Sequence, residues 1–306
     1  MVKAMEKFSN KYTGERIFIL GNGPSLKETP LEKLIPEYTL AMNRISQIYP
    51  KTNWRPSFYY LALTPSNPVA PDQGNELILR NIELDIPCFI NSEYQEDLGS
   101  HENVYYFNRF SLWGDNPFNK SDIDDIRLMD IYQLNEYWSH HLSYHVYHYH
   151  AMYGALQLAV YMGFDEIYLV GCDLGFEYKD PHMIFNSGLD PFRYEGGKTS
   201  YIRDSIKNGE LFQSVVNAIC MKLILNINIS TNSIFGRYLY QSWNDHFSPE
   251  YFQELRISDG PKLEKEVKKT HVAAKRICEN EGIAIYNATL GGELEIYDRV
   301  NIFDLL

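Results

Sequence analysis

Residues 16–26 read R-I-F-I-L-G-N-G-P-S-L, a short apolar run that stops at two closely spaced glycines. Such a run is typical of a strand that is buried on both faces of a parallel sheet. Glycines at this point allow a tight turn and let a ligand approach the main chain, and backbone N–H groups ahead of a helical segment suit a phosphate. The stretch therefore predicts a nucleotide site, formed by Gly21, Asn22, Gly23, Pro24 and Ser25. The alternative is a tight turn without a ligand, because neither a full G-x-G-x-x-G nor a P-loop is present.

Small polar residues also follow the next two predicted strands. Residues 39–42 form an apolar run that ends at Asn43, and the aromatic run 58–63 ends at Thr64 and Ser66. In doubly wound sheets, ligands bind beyond the carboxyl ends of the strands. Each of these residues is also an ordinary turn former. Together with Asn22, however, they favour a single nucleotide site along one edge of the sheet.

A second α/β unit lies near the middle of the chain. Residues 144–162 predict a helix that ends at Gly163, and the strongly β-forming run 165–170 leads to Asp173. The carboxylate of Asp173 is suited to hold a ribose hydroxyl or a metal, or else to cap the following turn. The predicted fold is α/β, with a Rossmann-like, mostly parallel sheet flanked by helices. We expect one domain over residues 1–306, with lid-forming insertions at about 108–140 and 175–247.

Composition narrows the classes of partner. The chain has 306 residues and a formal net charge of −12, which argues against general nucleic-acid binding. Its four cysteines are far apart and contain no C-x-x-C, as suits a reducing compartment. Neither a secretory signal nor a run of membrane-spanning length is visible. We expect a cytoplasmic protein, and leave open peripheral contact with the inner face of the membrane and assembly into a homo-oligomer.

Histidines are concentrated between residues 140 and 150. On a helix, His141, His145 and His148 would share one face, a spacing that can bind a metal. Packing or pocket-lining is the favoured interpretation, so no metal is expected, and His150 is a candidate contact for phosphate or substrate. His246 is a separate candidate for a general base. Taken alone, its alternative is a surface or capping role.

Several motifs together resemble the bacterial CMP-sialic-acid-dependent sialyltransferases of glycosyltransferase family 42. These are G-N-G-P-S-L at 21–26, the strand ends at Asn43 and 64–66, and G-F-D-E-I-Y-L-V-G-C-D at 163–173. The runs N-D-H-F-S-P-E-Y-F at 244–252 and G-I-A-I-Y-N-A-T at 282–289 are similar to the wider family labelled domain of unknown function 115. That group includes flagellin nonulosonate-transferring motility accessory factors and archaeal 6-hydroxymethylpterin pyrophosphokinases.

The resemblance implies an inverting glycosyltransferase that moves a sialic-acid-like sugar from a CMP-activated donor, with no cofactor. Asn22 and Asn43 would contact the nucleotide, with Thr64 or Ser66 as a further polar contact. His246 would be the general base. The leaving phosphate would be held by a tyrosine of the loop after Asp173, for which the candidates are Tyr178, Tyr194 and Tyr201. The chain departs from the sialyltransferases in two respects: it has His150-Ala151-Met152 where they carry T-S-G, and a longer insertion before His246.

Two other functions remain open at this point. The first is an ATP- and magnesium-dependent pyrophosphokinase of the pterin type, in which Asp173 would be a metal ligand. The second is a nucleotide-sugar-binding protein without turnover. For the transferase, the expected partners are the nucleotide-sugar donor and a glycan, lipid-linked glycan or protein acceptor.

Overall fold

A computed structural model describes residues 5–61, 63–64, 74–112, 117–142, 145–174 and 260–306. The strands among these residues are β1 Arg16–Leu20, β2 Tyr38–Met42, β3 Phe58–Leu61, β4 Cys88–Asn91, β5 Val104–Phe107, β6 Arg109–Ser111, β7 Val146–His148, β8 Glu166–Val170, β9 Ala284–Asn287 and β10 Asp298–Arg299. The α-helices are α1 Gly74–Glu83, α2 Gln95–Leu98, α3 Pro117–Lys120, α4 Ile123–Leu128, α5 Ile131–Asn135, α6 Ala151–Met162, α7 Gly260–Asn280 and α8 Ile302–Leu305.

Eight of the strands form one parallel sheet, in the order β10-β9-β8-β1-β2-β3-β4-β5. From β1 the chain moves outward through β2 to β5, and later returns to β8 on the other side of β1. The order therefore reverses between β1 and β8, which is where α/β proteins of this type bind ligands. This sheet, flanked by helices, confirms the predicted α/β Rossmann-like fold.

The core lies around β1 and α6. Residues 17–20 of β1 are fully buried, as the uninterrupted apolar run predicted. Helix α6 packs against β1 and β2, and ten of its 12 residues are buried, so it is apolar on nearly every side. It ends at Gly163, whose φ of 90° is left-handed, as expected of a glycine C-cap.

The predicted helix over residues 144–162 is wrong in its first part. Residues 146–148 form β7, which pairs with β6, and the helix begins only at Ala151. His141, His145 and His148 therefore do not share a helical face, and the spacing considered for a metal does not apply. The alternation of Val146, Tyr147 and His148 between buried and half-buried positions is the period of a strand.

The described residues up to Leu174 and from Glu266 onward form one compact unit. The predicted insertion at 108–140 contains β6 and the short helices α3 to α5. Its action as a lid stays a prediction, as does the single-domain organisation, because the insertion at 175–247 lies outside the described residues. Among the helices that the structure describes, none combines the length and apolar character needed to cross a membrane.

Candidate functional site

The glycine turn after β1 packs directly against the loop after β8. The N–H of Gly21 donates to the carbonyl oxygen of Val170 at 2.7 Å, and the N–H of Gly23 donates to that of Gly171 at 2.9 Å. A Cβ on Gly21 would lie 2.4 Å from the oxygen of Gly171. The close approach of these two loops therefore requires glycine, whether or not a ligand binds there.

The carboxylate of Asp173 caps the 3₁₀ turn Pro24–Lys27. Its Oδ1 accepts from the N–H of Ser25 at 3.1 Å, and its Oδ2 accepts from the Ser25 hydroxyl at 2.9 Å. Sequence reasoning left Asp173 between a ligand contact and a cap of its own turn. In the structure it caps a turn that lies 148 residues earlier in the chain.

This arrangement bears on the predicted phosphate site. The N–H groups of Gly21, Gly23, Ser25 and Leu26 each donate to an acceptor of the protein itself, and Pro24 has no N–H. A phosphate on these amides would have to displace the Asp173 carboxylate, which carries the same sign of charge. The N–H groups of Gly21, Gly23, Ser25 and Leu26 are therefore already engaged, and binding of a nucleotide by this turn stays a prediction that depends on Asn22.

Burial raises the pKa of Asp173, and the hydrogen bonds from Ser25 oppose that shift. Because the folded pKa lies above the ordinary value of 3.8, the fold binds this proton more readily than the unfolded chain does. The stabilising contribution of Asp173 is then largest below that value, and it declines as the pH rises through the folded pKa.

Asp173→Asn is therefore expected to gain stability relative to the natural chain as the pH rises from acid to neutral. Asparagine has the same shape, and it can accept from the Ser25 N–H while its amide donates to the Ser25 hydroxyl. Urea denaturation of both proteins between pH 4 and pH 7 measures the difference in the free energy of unfolding. If the natural chain instead became more stable relative to Asp173→Asn as the pH rises, the assigned direction of the Asp173 pKa shift would be wrong.

Three buried side-chain oxygens at the carboxyl ends of β1 and β2 have no hydrogen-bond partner among the described residues. They are Oδ1 of Asn22, Oδ1 of Asn43 and Oγ of Ser46. The amide nitrogen of Asn22 donates to the carbonyl oxygen of Met42 at 3.1 Å, which fixes its orientation and draws the ends of the two strands together. An unpaired buried acceptor costs about 1–3 kcal/mol. The two amide oxygens are thus placed to accept from a ligand.

The backbone holds Asn43 at the end of β2. Its φ of 53° is left-handed, a conformation that asparagine adopts more readily than most residues. The hydroxyl of Tyr59 donates to its carbonyl oxygen at 2.7 Å, and its N–H donates to the oxygen of Tyr60 at 3.2 Å. Thr64 is half-buried and lies three residues after the end of β3, the strand that pairs with β2.

His150 is the N-cap residue of α6, but its side chain makes no cap hydrogen bond. The Thr270 hydroxyl donates to the oxygen of Val267 at 2.8 Å, so it accepts from Nε2 of His150 at 2.7 Å. Burial lowers the pKa of His150 well below its ordinary value, and the nearby His271 and His148 add to this. The ring is therefore neutral at pH 7, with its proton on Nε2.

The remaining candidates lie outside the described residues. They are the predicted base His246, the candidate nucleotide contact Ser66, and the candidate phosphate or substrate contacts Tyr178, Tyr194 and Tyr201. Their roles stay predictions. Where the structure does describe the chain, no group of three or more His, Cys, Asp or Glu side chains is arranged to hold a metal ion.

Sequence reasoning did not single out Ser46, Tyr60 or Arg109, each of which has a buried polar side-chain atom without a hydrogen-bond partner among the described residues. Ser46 follows Asn43 by three residues, so a polar residue close to a strand end was the available signal. Tyr60 lies inside a strand, and Arg109 lies in a stretch without a clear period, so neither carried a signal.

No protein-family model, curated protein or solved structure matches this chain.

Proposed function

We propose that this chain is an inverting glycosyltransferase that moves a sialic-acid-like or related sugar from a CMP-activated donor to a glycan or protein acceptor. The observation that carries the proposal is the pair of unpartnered, buried amide oxygens on Asn22 and Asn43. They lie at the carboxyl ends of adjacent parallel strands, beside the point where the strand order reverses. We place the reaction in the cytoplasm, in line with the dispersed cysteines.

Amide oxygens that are short of a partner require a ligand with N–H or O–H donors. A cytidine nucleotide offers the two ribose hydroxyls and the amino group of the base. The choice of cytidine over other nucleosides rests on the resemblance of residues 21–26 and 163–173 to the sialyltransferases. Two buried acceptors that are satisfied only in the complex would favour binding by about 1–3 kcal/mol each.

A CMP-sugar is already activated, so the reaction asks little of the protein. The departing phosphate needs hydrogen-bond donors, and the acceptor hydroxyl must lose a proton. Hydroxyl and N–H groups can donate hydrogen bonds to the phosphate without a metal. A histidine can take the proton from the acceptor hydroxyl, and His246 is the residue proposed for this role. Amides of the glycine turn already donate to Asp173 and to carbonyl oxygens. We therefore propose that the hydrogen-bond donors to the phosphate come from Tyr178, Tyr194, Tyr201 or the start of α6.

A thermal-shift screen with CMP, CTP and ATP, each with and without magnesium, tests the proposal. Stabilisation by CMP or CTP without magnesium is the expected result, because a ligand that binds only the folded state raises the melting temperature. A response only to ATP with magnesium would replace the proposal with a pyrophosphokinase. Binding of CMP without turnover of any CMP-sugar would indicate a binding protein.

Asn43→Ala is expected to weaken CMP affinity by about 1–3 kcal/mol, since it removes one buried acceptor from the nucleotide. The matched control is Asn103→Ala. Asn103 precedes β5 at the opposite edge of the sheet, where its amide donates to the oxygens of Ile82 and Ile86 at 3.1 and 3.0 Å. The control should lower stability but leave the affinity unchanged. Isothermal titration with CMP compares the three proteins, and equal affinities would refute the assignment of Asn43.

A further inference from the structure

Three polar side chains near the start of α6 present buried atoms that have no hydrogen-bond partner among the described residues. The atoms are the hydroxyl of Tyr60, Nε of Arg109 and Nδ1 of His148. Tyr60 is fully buried and His148 is 7% exposed. They come from β3, β6 and β7, and none of them belongs to the nucleotide contacts proposed above. We call them the Tyr60–Arg109–His148 cluster.

The pairing of β6 with β7 places two of these residues on one face. Arg109 pairs with Val146, and Ser111 pairs with His148, in parallel register. Since side chains alternate along a strand, Arg109 and His148 lie on the same face of the pair. Val146 on that face is buried, whereas Phe110 on the other face is 56% exposed. Arg109 is half-buried, and its guanidinium group starts from the face on which Val146 and His148 are buried.

Tyr60 approaches from the large sheet. Its ring stacks on Phe107, the last residue of β5, with centroids 5.3 Å apart and an angle of 12° between the planes. Its hydroxyl lies against the first turn of α6, where a Cβ on Gly154 would be 2.0 Å from it. That turn begins three residues after His148. Gly154 therefore leaves room for a hydroxyl that the protein itself does not pair.

The charge of Arg109 acts on the pKa values of both other members of the cluster. Burial lowers the pKa of His148 to about 3, and the positive charge of Arg109 contributes to that shift. Burial raises the pKa of Tyr60, and Arg109 opposes the rise. Burial also lowers the pKa of Arg109, an effect that the Glu93 carboxylate and Tyr60 only partly offset. At pH 7 the cluster thus carries one positive charge beside a neutral imidazole and a neutral phenol.

No ion pair of the described residues includes Arg109. The Glu93 carboxylate acts on Arg109 without forming an ion pair with it, so the half-buried cation is only partly compensated, and the unpartnered nitrogen adds to that cost. The guanidinium nitrogen and the hydroxyl both carry hydrogens, and a neutral imidazole can place its proton on Nδ1, so all three can donate. One positive charge with three donors complements a singly charged acceptor with several lone pairs, which describes a carboxylate. A doubly charged phosphate would leave excess negative charge near Glu93.

We propose that the Tyr60–Arg109–His148 cluster binds a carboxylate group of the substrate. This rests on the proposed glycosyltransferase function, under which the carboxylate belongs to an acidic sugar. The backbone joins the cluster to the nucleotide contacts, because the N–H of Asn43 donates to the oxygen of Tyr60. The carboxylate can belong to the sugar of the donor or to an acidic sugar of the acceptor, and the experiment distinguishes these two sources.

The test compares N-acetylneuraminic acid with its neutral methyl ester, using isothermal titration on the full chain. The natural protein should prefer the acid. Arg109→Gln keeps a polar amide on a shorter side chain and removes the charge, and it should weaken binding of the acid about ten- to a hundredfold and abolish the preference. Its stability should be equal or higher, since a half-buried cation that makes no ion pair with a described residue is removed. Arg127→Gln, at an exposed arginine paired with Asp124, is the matched control.

Tyr60→Phe provides a second variant. It deletes only the unpartnered hydroxyl, so the fold should be retained, and binding of the acid should fall severalfold. Equal binding of acid and ester by the natural protein, or an unchanged preference in both variants, would overturn the carboxylate site. Absence of any binding of the acid at millimolar concentration would overturn it as well.

A non-hydrolysable CMP–N-acetylneuraminate analogue distinguishes the two sources. If Arg109→Gln weakens binding of the analogue but not of CMP, the carboxylate belongs to the donor. If it weakens only the free acid, the site receives the acceptor. Should CMP fail to bind while the preference for the acid and its loss in Arg109→Gln persist, the nucleotide proposal fails and the carboxylate site stands.

Discussion

Gly23→Ala is expected to destabilise the protein by about 3 kcal/mol, the upper end of the usual cost of overpacking a filled site. A Cβ at this position would lie 1.8 Å from Oδ2 of Asp173 and 2.7 Å from the carbonyl oxygen of Gly171. Neither oxygen is free to withdraw. The carboxylate accepts two hydrogen bonds from Ser25, and the carbonyl accepts from the N–H of Gly23 itself. The φ of −67° suits alanine, so the clash alone sets the cost.

Urea denaturation of Gly23→Ala beside Gly14→Ala measures this effect. A Cβ on Gly14 would meet nothing within 4 Å, but its φ of +84° is left-handed, so the control isolates a backbone cost of about 1–2 kcal/mol. Adding Asp173→Ala to Gly23→Ala should recover part of the loss, because the carboxylate is the nearer obstacle. If Gly23→Ala costs no more than Gly14→Ala, the two loops do not pack as described.

Patterns that depend on local chemistry predicted the central part of the fold well. The apolar run that stops at Gly21 was predicted as a buried strand and forms β1, since a continuous apolar run that ends at a glycine has few other structures. The stretch around Val146–His148 was predicted as the first part of the helix that ends at Gly163, and it instead forms a strand. The strand forms because it pairs with Arg109–Ser111, and the local sequence gives no sign of a partner that lies so far away in the chain.

The same limit applies to the candidate site. The position of Asn43 at the carboxyl end of β2 was predictable because a polar residue follows an apolar run, and the unpartnered oxygen of its amide lies there. Its contact with a nucleotide stays a prediction. The capping of Ser25 by Asp173 was not predictable, since the two residues are 148 positions apart. That one contact engages the N–H and the hydroxyl of Ser25, which the sequence had left available to a ligand.

The largest effect on function is expected from His246→Ala. If His246 takes the proton from the acceptor hydroxyl, its loss should lower the rate of transfer about 10²- to 10⁴-fold. The nucleotide is held by other residues in the proposal, so the affinity for CMP should change little. Release of CMP from a CMP-sugar in the presence of acceptor measures the first quantity, and isothermal titration with CMP measures the second.

His141→Ala is the matched control, because His141 is an exposed histidine that the proposal gives no role. A general base also predicts a specific pH dependence: the natural protein should lose rate as the pH falls and the imidazole becomes protonated, while the residual rate of His246→Ala should lack that limb. Loss of CMP affinity together with the rate would instead make His246 a binding residue. Unchanged turnover would remove it from the mechanism, and the base would then have to be sought elsewhere along the carboxyl edge of the sheet.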